Sequence, residues 1–569
     1  MRKRWILHET DVNESLQKSL AKELSCDEVI AKFLLKKDIT TAEDANKFFK
    51  PKFEDLHSPW LFSDMKKAVD RIQKAISNHE KIIIYGDYDV DGTTATSILL
   101  LGLRELNANV DYYIPNRISD GYGMSETGNA ALTNMNVGLV ITVDCGIDAV
   151  DEINELSKMG IDVIITDHHT PKEILPEAHV IIDAKLKNCP YPFSELAGAG
   201  VAFKVLQALF LENNRDNIID YIDLAGLGTI ADIVPLTGEN RIIATLAIDK
   251  LEERKNIGLK YLMNLCGLKE KKIRSSDVVF KIAPRINAAG RLSSADRAVN
   301  LLTTDQVEKA KDLALSIHTE NTRRQAIDQK TFQEARDMIE VKYDNLDDVF
   351  LIVLASENWH PGVVGIVASK IVEHYNRPNI LITIEDGEGR GSGRSIAGFN
   401  LFDCLSEFQD YLISFGGHKY AAGLAILPEY IPEFEEKLNE YAKNKMTPED
   451  IIPQISISEE IQLDTVNNNF IQWLKLFAPF GPRNMSPVFM SNKVQIVGYP
   501  YTVGTNHLKM KVKQNYTTLD CIGFNMGELA PFLKKGSFVD IAYSLEENEW
   551  RNIKKIQAKL KDIRPHNAY

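Results

Sequence analysis

Three short apolar runs between residues 81 and 166 constrain this chain more than any other feature: KIIIYG (81–86), VGLVITV (137–143) and IDVIIT (161–166). Each has the length of a buried strand rather than a helix. Helical stretches such as TTATSILLLGLREL (93–106) separate them. Alternation of this kind predicts a parallel sheet covered by helices. Each run also leads into residues with metal-binding side chains. The first gives YGDYDVDG (85–92), the second VDCG with Asp144, and the third TDHH with Asp167, His168 and His169. In open α/β sheets, ligands bind beyond the carboxyl ends of the strands. Three strand ends that deliver carboxylate and imidazole to one edge point to a metal-dependent reaction there.

The first motif is the most informative. Asp87, Asp89 and Asp91 alternate, and in extended backbone they would point to one side. Three carboxylates so placed repel one another unless cations lie between them. Carboxylate with imidazole suits Mn²⁺, and carboxylate with water suits Mg²⁺. Two ions roughly 3.5–4 Å apart would activate a water and stabilise the leaving oxygen of a phosphodiester. Taken singly, each motif has a plainer reading. DxDxDG is also a calcium loop or an acidic turn, and TDHH is also a helix cap with two surface histidines. Their conjunction, in order and each after a strand, favours the metal site. A fourth element is GLGTIADIVPL (226–236), where Asp232 stands among apolar residues. A buried Asp without partners is costly. Asp232 is either a helix cap, since Pro235 follows, or a further ligand.

The rest of the chain divides by pattern. Residues 1–60 read as a helical segment, with Thr41 as a cap before AEDANKFF. The βαβ segment runs over 61–236 and a helical region over 237–340. Within that region a long connecting helix is predicted from about Thr304 to Ile339, because Val307, Ala310, Ala314 and Ile317 fall at helical spacing. A second α/β segment spans 341–445. Residues 446–569, rich in β-branched and aromatic residues, read as a small all-β domain. The fold class expected is α/β: a parallel-sheet lobe and a second α/β lobe joined by a long helix, with a C-terminal all-β domain.

Charge and cysteine use narrow the setting. The net charge of −14 argues against general affinity for nucleic acid, which depends instead on local basic patches. One such patch is HLKMKVK, where His507, Lys509, Lys511 and Lys513 alternate with Leu508, Met510 and Val512. As a strand it has one basic and one apolar face. Residues 501–564 hold eleven basic and seven acidic residues, a net +4. Tyr501, Phe524 and Trp550 would stack on bases if exposed, with Phe524 expected in the core. Six scattered cysteines with no C-x-x-C pair read as reduced thiols. The first residues, MRKRWILHETDVNE, are too short for a signal-peptide core. No run approaches the ~20 apolar residues of a membrane helix. The expectation is a soluble, cytoplasmic protein with no membrane partner.

In this order, DxDxDG, VDCG, DHH and ADIVPL resemble the motifs of the DHH phosphoesterase superfamily, and most closely its single-strand DNA exonucleases. The resemblance covers nearly the whole chain. YIPNRISDGYG (113–123), YPFSELAGAGVAFK (191–204) and APRINAAGRL (283–292) share it. So do WHPGVVGIVASK (359–370), GSGRS (391–395) and SFGGHKYAAG (414–423), which resemble the second lobe of DHHA1 type. HLKM and the closing KDIR (561–564) resemble that group's oligonucleotide-binding (OB) domain. Two departures stand out. Tyr85 occupies a position where related enzymes often have His, and PFGPRNMSPVF (479–489) lacks the second glycine and first proline of a PFGxGNPxP element.

The resemblance implies Asp89, Asp91, Asp144, His168 and Asp232 as ligands of two Mn²⁺ or Mg²⁺ ions, with Asp144 shared between them. It implies that Asp87 and His169 contact water or substrate phosphate. Arg117, Ser392 and Arg394 would bind a 5′ terminal phosphate, since guanidinium forks suit phosphate oxygens. Arg291 and His418 would meet phosphates nearer the cleaved bond. The implied activity is degradation of single-stranded DNA from its 5′ end to 5′-mononucleotides, in recombination and repair. Single-strand-binding protein and a RecQ-type helicase are the implied partners of a monomer. Two other readings compete. A phosphodiesterase for short oligoribonucleotides or cyclic dinucleotides would share the metal centre, but the all-β domain and long helix favour a polymer. A non-catalytic replication scaffold would have lost ligands, whereas every carboxylate and the DHH pair are present here.

Overall fold

A computed structural model of the chain describes residues 3–8, 11–116, 123–292, 294–343, 345–550 and 553–566. It separates into two units: Glu9–Glu320 with Ser458–Tyr569, and Met1–His8 with Asn321–Ile457.

The larger unit is built on five parallel strands. Their order is Val110–Tyr113, Lys81–Gly86, Val137–Val143, Asp162–Thr166 and Val180–Ile182. Both faces are covered. Ile82, Ile84, Leu139 and Ile141 pack into one apolar layer, while Ile83, Tyr85, Val140 and Val163 pack into another. This two-sided burial is why the runs read as continuous rather than alternating apolar residues. The helix Val90–Glu105, which follows the first motif, is buried along most of its length. It lies against Gly198–Glu212 and Ile222–Ala231, the two helices that carry the later motifs.

The second half of this unit is a closed barrel. Its strands run in the order Glu459–Glu460, Phe489–Val503, His507–Gln514, Thr517–Gly523, Ile553–Pro565 and Phe538–Trp550, and Phe489–Val503 also pairs with Phe538–Trp550. Closure removes the open edges of the sheet. The N-terminal helices Glu14–Leu24, Glu28–Leu35 and Ala42–Phe49 do not form a core of their own. Leu20, Ile30, Phe33 and Phe49 share one apolar core with Phe470, Phe477, Phe489 and Ile541. Thr41 caps the third helix by accepting the Asp44 N–H at 3.1 Å.

Arg241 ties these parts to the sheet. Its buried guanidinium donates to the carbonyls of Phe48, Leu476, Phe477 and Ala478 at 2.8–3.1 Å. Four carbonyls satisfy the fork without a carboxylate, so no second charge has to be desolvated.

The smaller unit holds a five-stranded mixed sheet in the order Leu412–His418, Ala421–Ile426, Glu388–Arg394, Asn379–Glu385 and Ile352–Ser356. Only its last pair is parallel. The long helix spans Val307–Lys342, 36 residues. Residues 1–60 also contain a strand that helical periodicity hid. Arg4–Leu7 pairs in parallel with Gln454–Ile457, far away in sequence. Among the described residues no helix is long and apolar enough to cross a membrane, and the six cysteines are free.

The departure at PFGPRNMSPVF has a backbone consequence. Arg483, where the resembling element has glycine, sits at φ +55°. Left-handed backbone costs a side-chain-bearing residue about 1–2 kcal/mol. Its neighbours are fully engaged: Pro482 accepts the Leu236 N–H at 2.9 Å, and the Asn484 amide donates to Phe477 and Pro479 at 2.8 Å. Arg483→Gly should therefore be more stable than Arg483→Ala by about 1 kcal/mol. The order of the two thermal midpoints checks this, and an alanine variant at or above the glycine variant refutes it.

Candidate metal centre

Asp87 follows directly on the strand Lys81–Gly86. The next residues do not stay extended as the alternation suggested. Asp89 caps the helix Val90–Glu105, its carboxylate accepting the Gly92 N–H at 3.1 Å. Asp91 then lies in the first helical turn. Asp is favoured at both positions, because the cap satisfies an orphan N–H and the helix N-terminus carries positive potential. The strand-to-helix turn, not the pleat, brings the carboxylates together. It is tight enough that a Cβ on Gly92 would come within 2.5–2.7 Å of the Asp87 backbone.

A second helix start meets the same group. Gly198 and Ala199 open the helix Gly198–Glu212 and donate their N–H groups to Asp91 at 2.6 and 2.9 Å. On the other side a Cβ at Gly198 would lie 2.7–2.9 Å from Asp144 side-chain atoms, so only glycine fits. Asp144 follows the strand Val137–Val143 at φ +60°, a conformation that Asp tolerates better than most residues. Asp167 follows the next strand. It accepts the N–H groups of Ile147, His168 and His169 at 3.0, 2.7 and 3.1 Å, and His169 Nδ1 lies 2.7 Å from it. Asp232 is the C-cap of Ile222–Ala231.

These elements converge on His168. Its buried Nε2 lies 3.0 Å from Asp144 Oδ1, 3.7 Å from Asp232 Oδ2 and 3.8 Å from Asp91 Oδ2, yet it has no aligned hydrogen bond to any of them. Three sets of donor atoms each fall within 4.8 Å of one another: Asp144, His168 and His169; Asp91, His168 and Asp232; Asp87, Asp89 and Asp144. Asp144 and His168 each belong to two of them.

The electrostatics favour cations. Burial, then repulsion from Asp89, pushes Asp91 up to about 7. Burial, then Asp91 and Asp89, pushes Asp232 up to about 9. Burial and the same neighbours hold Asp144 well above the usual carboxylate range. Burial drives His168 down to about 3, so its imidazole is neutral and free to ligate. Burial also lowers His169, but the bond to Asp167 outweighs it and raises the group to about 9. Clustered carboxylate oxygens with a neutral, unbonded imidazole nitrogen fit hard divalent ions of the Mg²⁺ and Mn²⁺ kind.

The structure thus gathers Asp87, Asp89, Asp91, Asp144, His168, His169 and Asp232. Arg117 lies outside the described residues. Arg291 is half-buried on the helix Ala283–Leu292, whose Asn287 accepts the Val90 N–H at 3.1 Å. Ser392 and Arg394 lie on one strand of the smaller unit, with Arg394 Nη1 donating to Ser392 Oγ at 3.1 Å. His418 ends the edge strand of the same sheet, two strands away, and is exposed. On the barrel, Lys509 is half-buried and Lys511 and Lys513 are exposed, while Leu508, Met510 and Val512 are buried. Phe524 corrects an expectation: it is 46% exposed, with Lys559 Nζ 5.0 Å from its ring. The strand before it ends at Gly523, so the pleat no longer turns it inward. Tyr501 is exposed as well, and the Trp550 side chain lies outside the described residues.

Sequence reasoning missed the amides of Gly198 and Ala199, which follow no strand. It also missed Asp183, which follows the strand Val180–Ile182, beside Asp167 at the end of the adjoining strand. Asp183 is buried, and one of its carboxylate oxygens has no hydrogen-bond partner. The strand-end rule applied to VIID would have found it.

A five-stranded parallel sheet with this cluster at its carboxyl edge defines a DHH-type protein. Residues 81–229 match the DHH family, N-terminal domain, residues 348–444 the DHHA1 domain, and residues 457–562 the RecJ OB domain. The chain is similar to the single-stranded-DNA-specific exonuclease RecJ of Bacillus subtilis, 42% identical over 98% of this chain and 70% of that one. It is 34% identical to RecJ of Haemophilus influenzae over 88% of this chain and 90% of that one. The crystal structure of RecJ in complex with Mn²⁺ from Thermus thermophilus superposes with a TM-score of 0.84 at 29% identity, covering 100% of this chain and 80% of that one. This chain belongs to the RecJ family.

The raised groups set a pH dependence. A group protonated more readily in the folded state contributes stability that is lost as pH rises through its folded value. Asp91, Asp232 and His169 act in this direction, up to about 9. His168 acts in the opposite direction, but only below the ordinary histidine value of about 6.5. The metal-free protein should therefore lose thermal stability steadily from about pH 6.5 to 9, and saturating Mn²⁺ should flatten that slope. Melting curves in chelator and in Mn²⁺ test this. A metal-free midpoint that is flat or rising over that window would contradict the site's electrostatics.

Proposed function

We propose that this chain is a metal-dependent exonuclease specific for single-stranded DNA, degrading it from the 5′ end and releasing 5′-mononucleotides. The observation that carries the reading is the convergence of the buried carboxylates of Asp91 and Asp144 and the half-buried carboxylate of Asp232, from separate strand and helix ends, on the imidazole Nε2 of His168. Asp89, Asp91, Asp144, His168 and Asp232 would hold two Mn²⁺ or Mg²⁺ ions, with Asp144 shared. When bound, such ions supply Lewis acidity and lower the pKa of water, the chemistry phosphodiester hydrolysis needs.

The chain's own residues do the rest. Asp91, fixed by two backbone N–H groups, keeps its carboxylate aimed into the cluster. Asp167 accepts from His169 Nδ1, which holds the ring's orientation. With its value raised to about 9, His169 is cationic at neutral pH and donates to a substrate phosphate oxygen. Asp87 orients the attacking water. Ser392 and Arg394 bind the terminal 5′ phosphate. Arg117, Arg291 and His418 contact other phosphates of the strand. The basic face of Lys509, Lys511 and Lys513, with exposed Tyr501 and Phe524, holds the strand away from the scissile bond. The setting is recombination and repair in the cytoplasm. Single-strand-binding protein and a RecQ-type helicase are the partners of a monomeric enzyme.

Asp144→Ala should reduce release of nucleotides from single-stranded DNA by at least on the order of 10²–10³-fold and lower the Mn²⁺ stoichiometry measured by calorimetry. Its thermal midpoint in chelator should not fall, because the variant removes a buried, repelled carboxylate. Near wild-type cleavage would remove Asp144 from the centre.

Arg394→Ala deletes charge-assisted hydrogen bonds worth about 1.5–3 kcal/mol, or about one to two decades in rate or affinity. The preference for 5′-phosphorylated over 5′-hydroxyl substrates should shrink accordingly. Competition between the two labelled ends reads the ratio, and an unchanged ratio would place the 5′ phosphate elsewhere.

A further inference from the structure

The helix Ile222–Ala231 ends on Asp232, and the residue after this cap is Ile233, at φ +62°. Glycine or asparagine ordinarily occupies the left-handed position beyond a helix C-cap. A β-branched residue there is an outlier. Among the described non-glycine residues with positive φ, Ile233 is the only apolar one; the rest are Asn, Asp, Ser, His, Arg, Glu and Lys.

Packing does not explain the choice, because Ile233 is 64% exposed. Leu236, three residues on, is the member of this segment that is buried, at 2%. The Ile233 side chain therefore neither fills a core nor relieves its own backbone. Strain of this kind persists where the site makes use of it.

Its position says what that use is. One peptide unit, about 3.8 Å between α-carbons, separates Ile233 from Asp232, whose carboxylate lies 3.7 Å from His168 Nε2. The gathered residues of the centre are all carboxylates and imidazoles. A nucleotide presents two unlike surfaces, a charged phosphate and the apolar faces of its sugar and base. The cluster suits the first and has nothing for the second. Ile233 is an exposed apolar group one residue from it.

We propose that Ile233 is a substrate-contacting residue that packs against the sugar and base of the nucleotide whose phosphate enters the carboxylate cluster. The contact contributes to holding the strand and shields the reacting phosphate from bulk water on that side. The inference rests on the proposed nuclease function.

Ile233→Asn and Ile233→Gly remove the apolar side chain while suiting the left-handed backbone, so their thermal midpoints should equal or exceed that of the wild type. Mn²⁺ binding measured by calorimetry should not change. KM for a single-stranded oligonucleotide should rise about tenfold, as expected for losing a buried aliphatic contact, with kcat within about twofold of wild type. Ile233→Val should restore most of the loss. Binding of a dye-labelled single strand to the enzyme in chelator, read by fluorescence anisotropy, should weaken in parallel. KM and affinity of the Asn variant within about twofold of wild type would overturn the proposal. A KM rise accompanied by a lower midpoint would overturn it too, since that is what a structural role predicts. If the wild-type enzyme with Mn²⁺ does not cleave single-stranded DNA, the nuclease reading fails instead, and the anisotropy comparison still decides the fate of Ile233.

Discussion

Desolvation and mutual repulsion of clustered carboxylates form the constraint around which the larger unit is organised. Asp91, Asp144 and Asp232 lie around one imidazole nitrogen, and all three hold their protons far more tightly than solvated aspartates do. Such a group would spread apart if its backbones were free to move. The parallel sheet prevents this by delivering Asp87, Asp144 and Asp167 from three hydrogen-bonded neighbouring strands. Two helix starts supply the positive potential that offsets part of the repulsion, one capped by Asp89 and one donating to Asp91. Divalent ions offset the remainder. Tolerance of this cluster and affinity for cations are thus one property, built from backbone amides and close packing.

Backbone geometry is as much a part of the centre as the side chains. Gly198 is confined by Asp144, and Gly92 by the Asp87 backbone. Asp144 and Ile233 both adopt left-handed backbone within the segments that form the site. At Asp144 this turns the chain sharply off the strand end, so the carboxylate reaches the cluster. At Ile233 it presents a side chain to solvent that a helix end would ordinarily do without. The local rule is broken at Ile233 alone of the two, because Asp accepts left-handed backbone and a β-branched residue does not.

Much of the catalytic half was legible because its signals are local. Buried parallel strands are short and apolar, and the residue that follows such a strand sits at the ligand edge. Those two rules lead from KIIIYG, VGLVITV and IDVIIT to Asp87, Asp144 and the DHH segment, and would have led from VIID to Asp183. The alternating pattern of HLKMKVK likewise foretold a strand with lysines outside and Leu508, Met510 and Val512 inside. The errors arose where local pattern ends. Asp87, Asp89 and Asp91 alternate in sequence, but helix capping, not the pleat, orients them. Phe524 looks like core by composition and is exposed because it lies past the end of its strand.

What the sequence determined by itself is the set of chemical groups and the secondary elements that carry them, since both depend on residue type and short-range period. Tertiary structure alone decided how those elements meet. Nothing in the first sixty residues says that Phe33 and Phe49 complete the core of a barrel that begins more than four hundred residues later. Nor does anything say that Arg4–Leu7 pairs with Gln454–Ile457, or that the amides of Gly198 and Ala199 fasten Asp91. These contacts join segments far apart along the chain. Their stability comes from burying apolar surface and satisfying backbone polar groups together, and that sum exists only once the chain has closed around it.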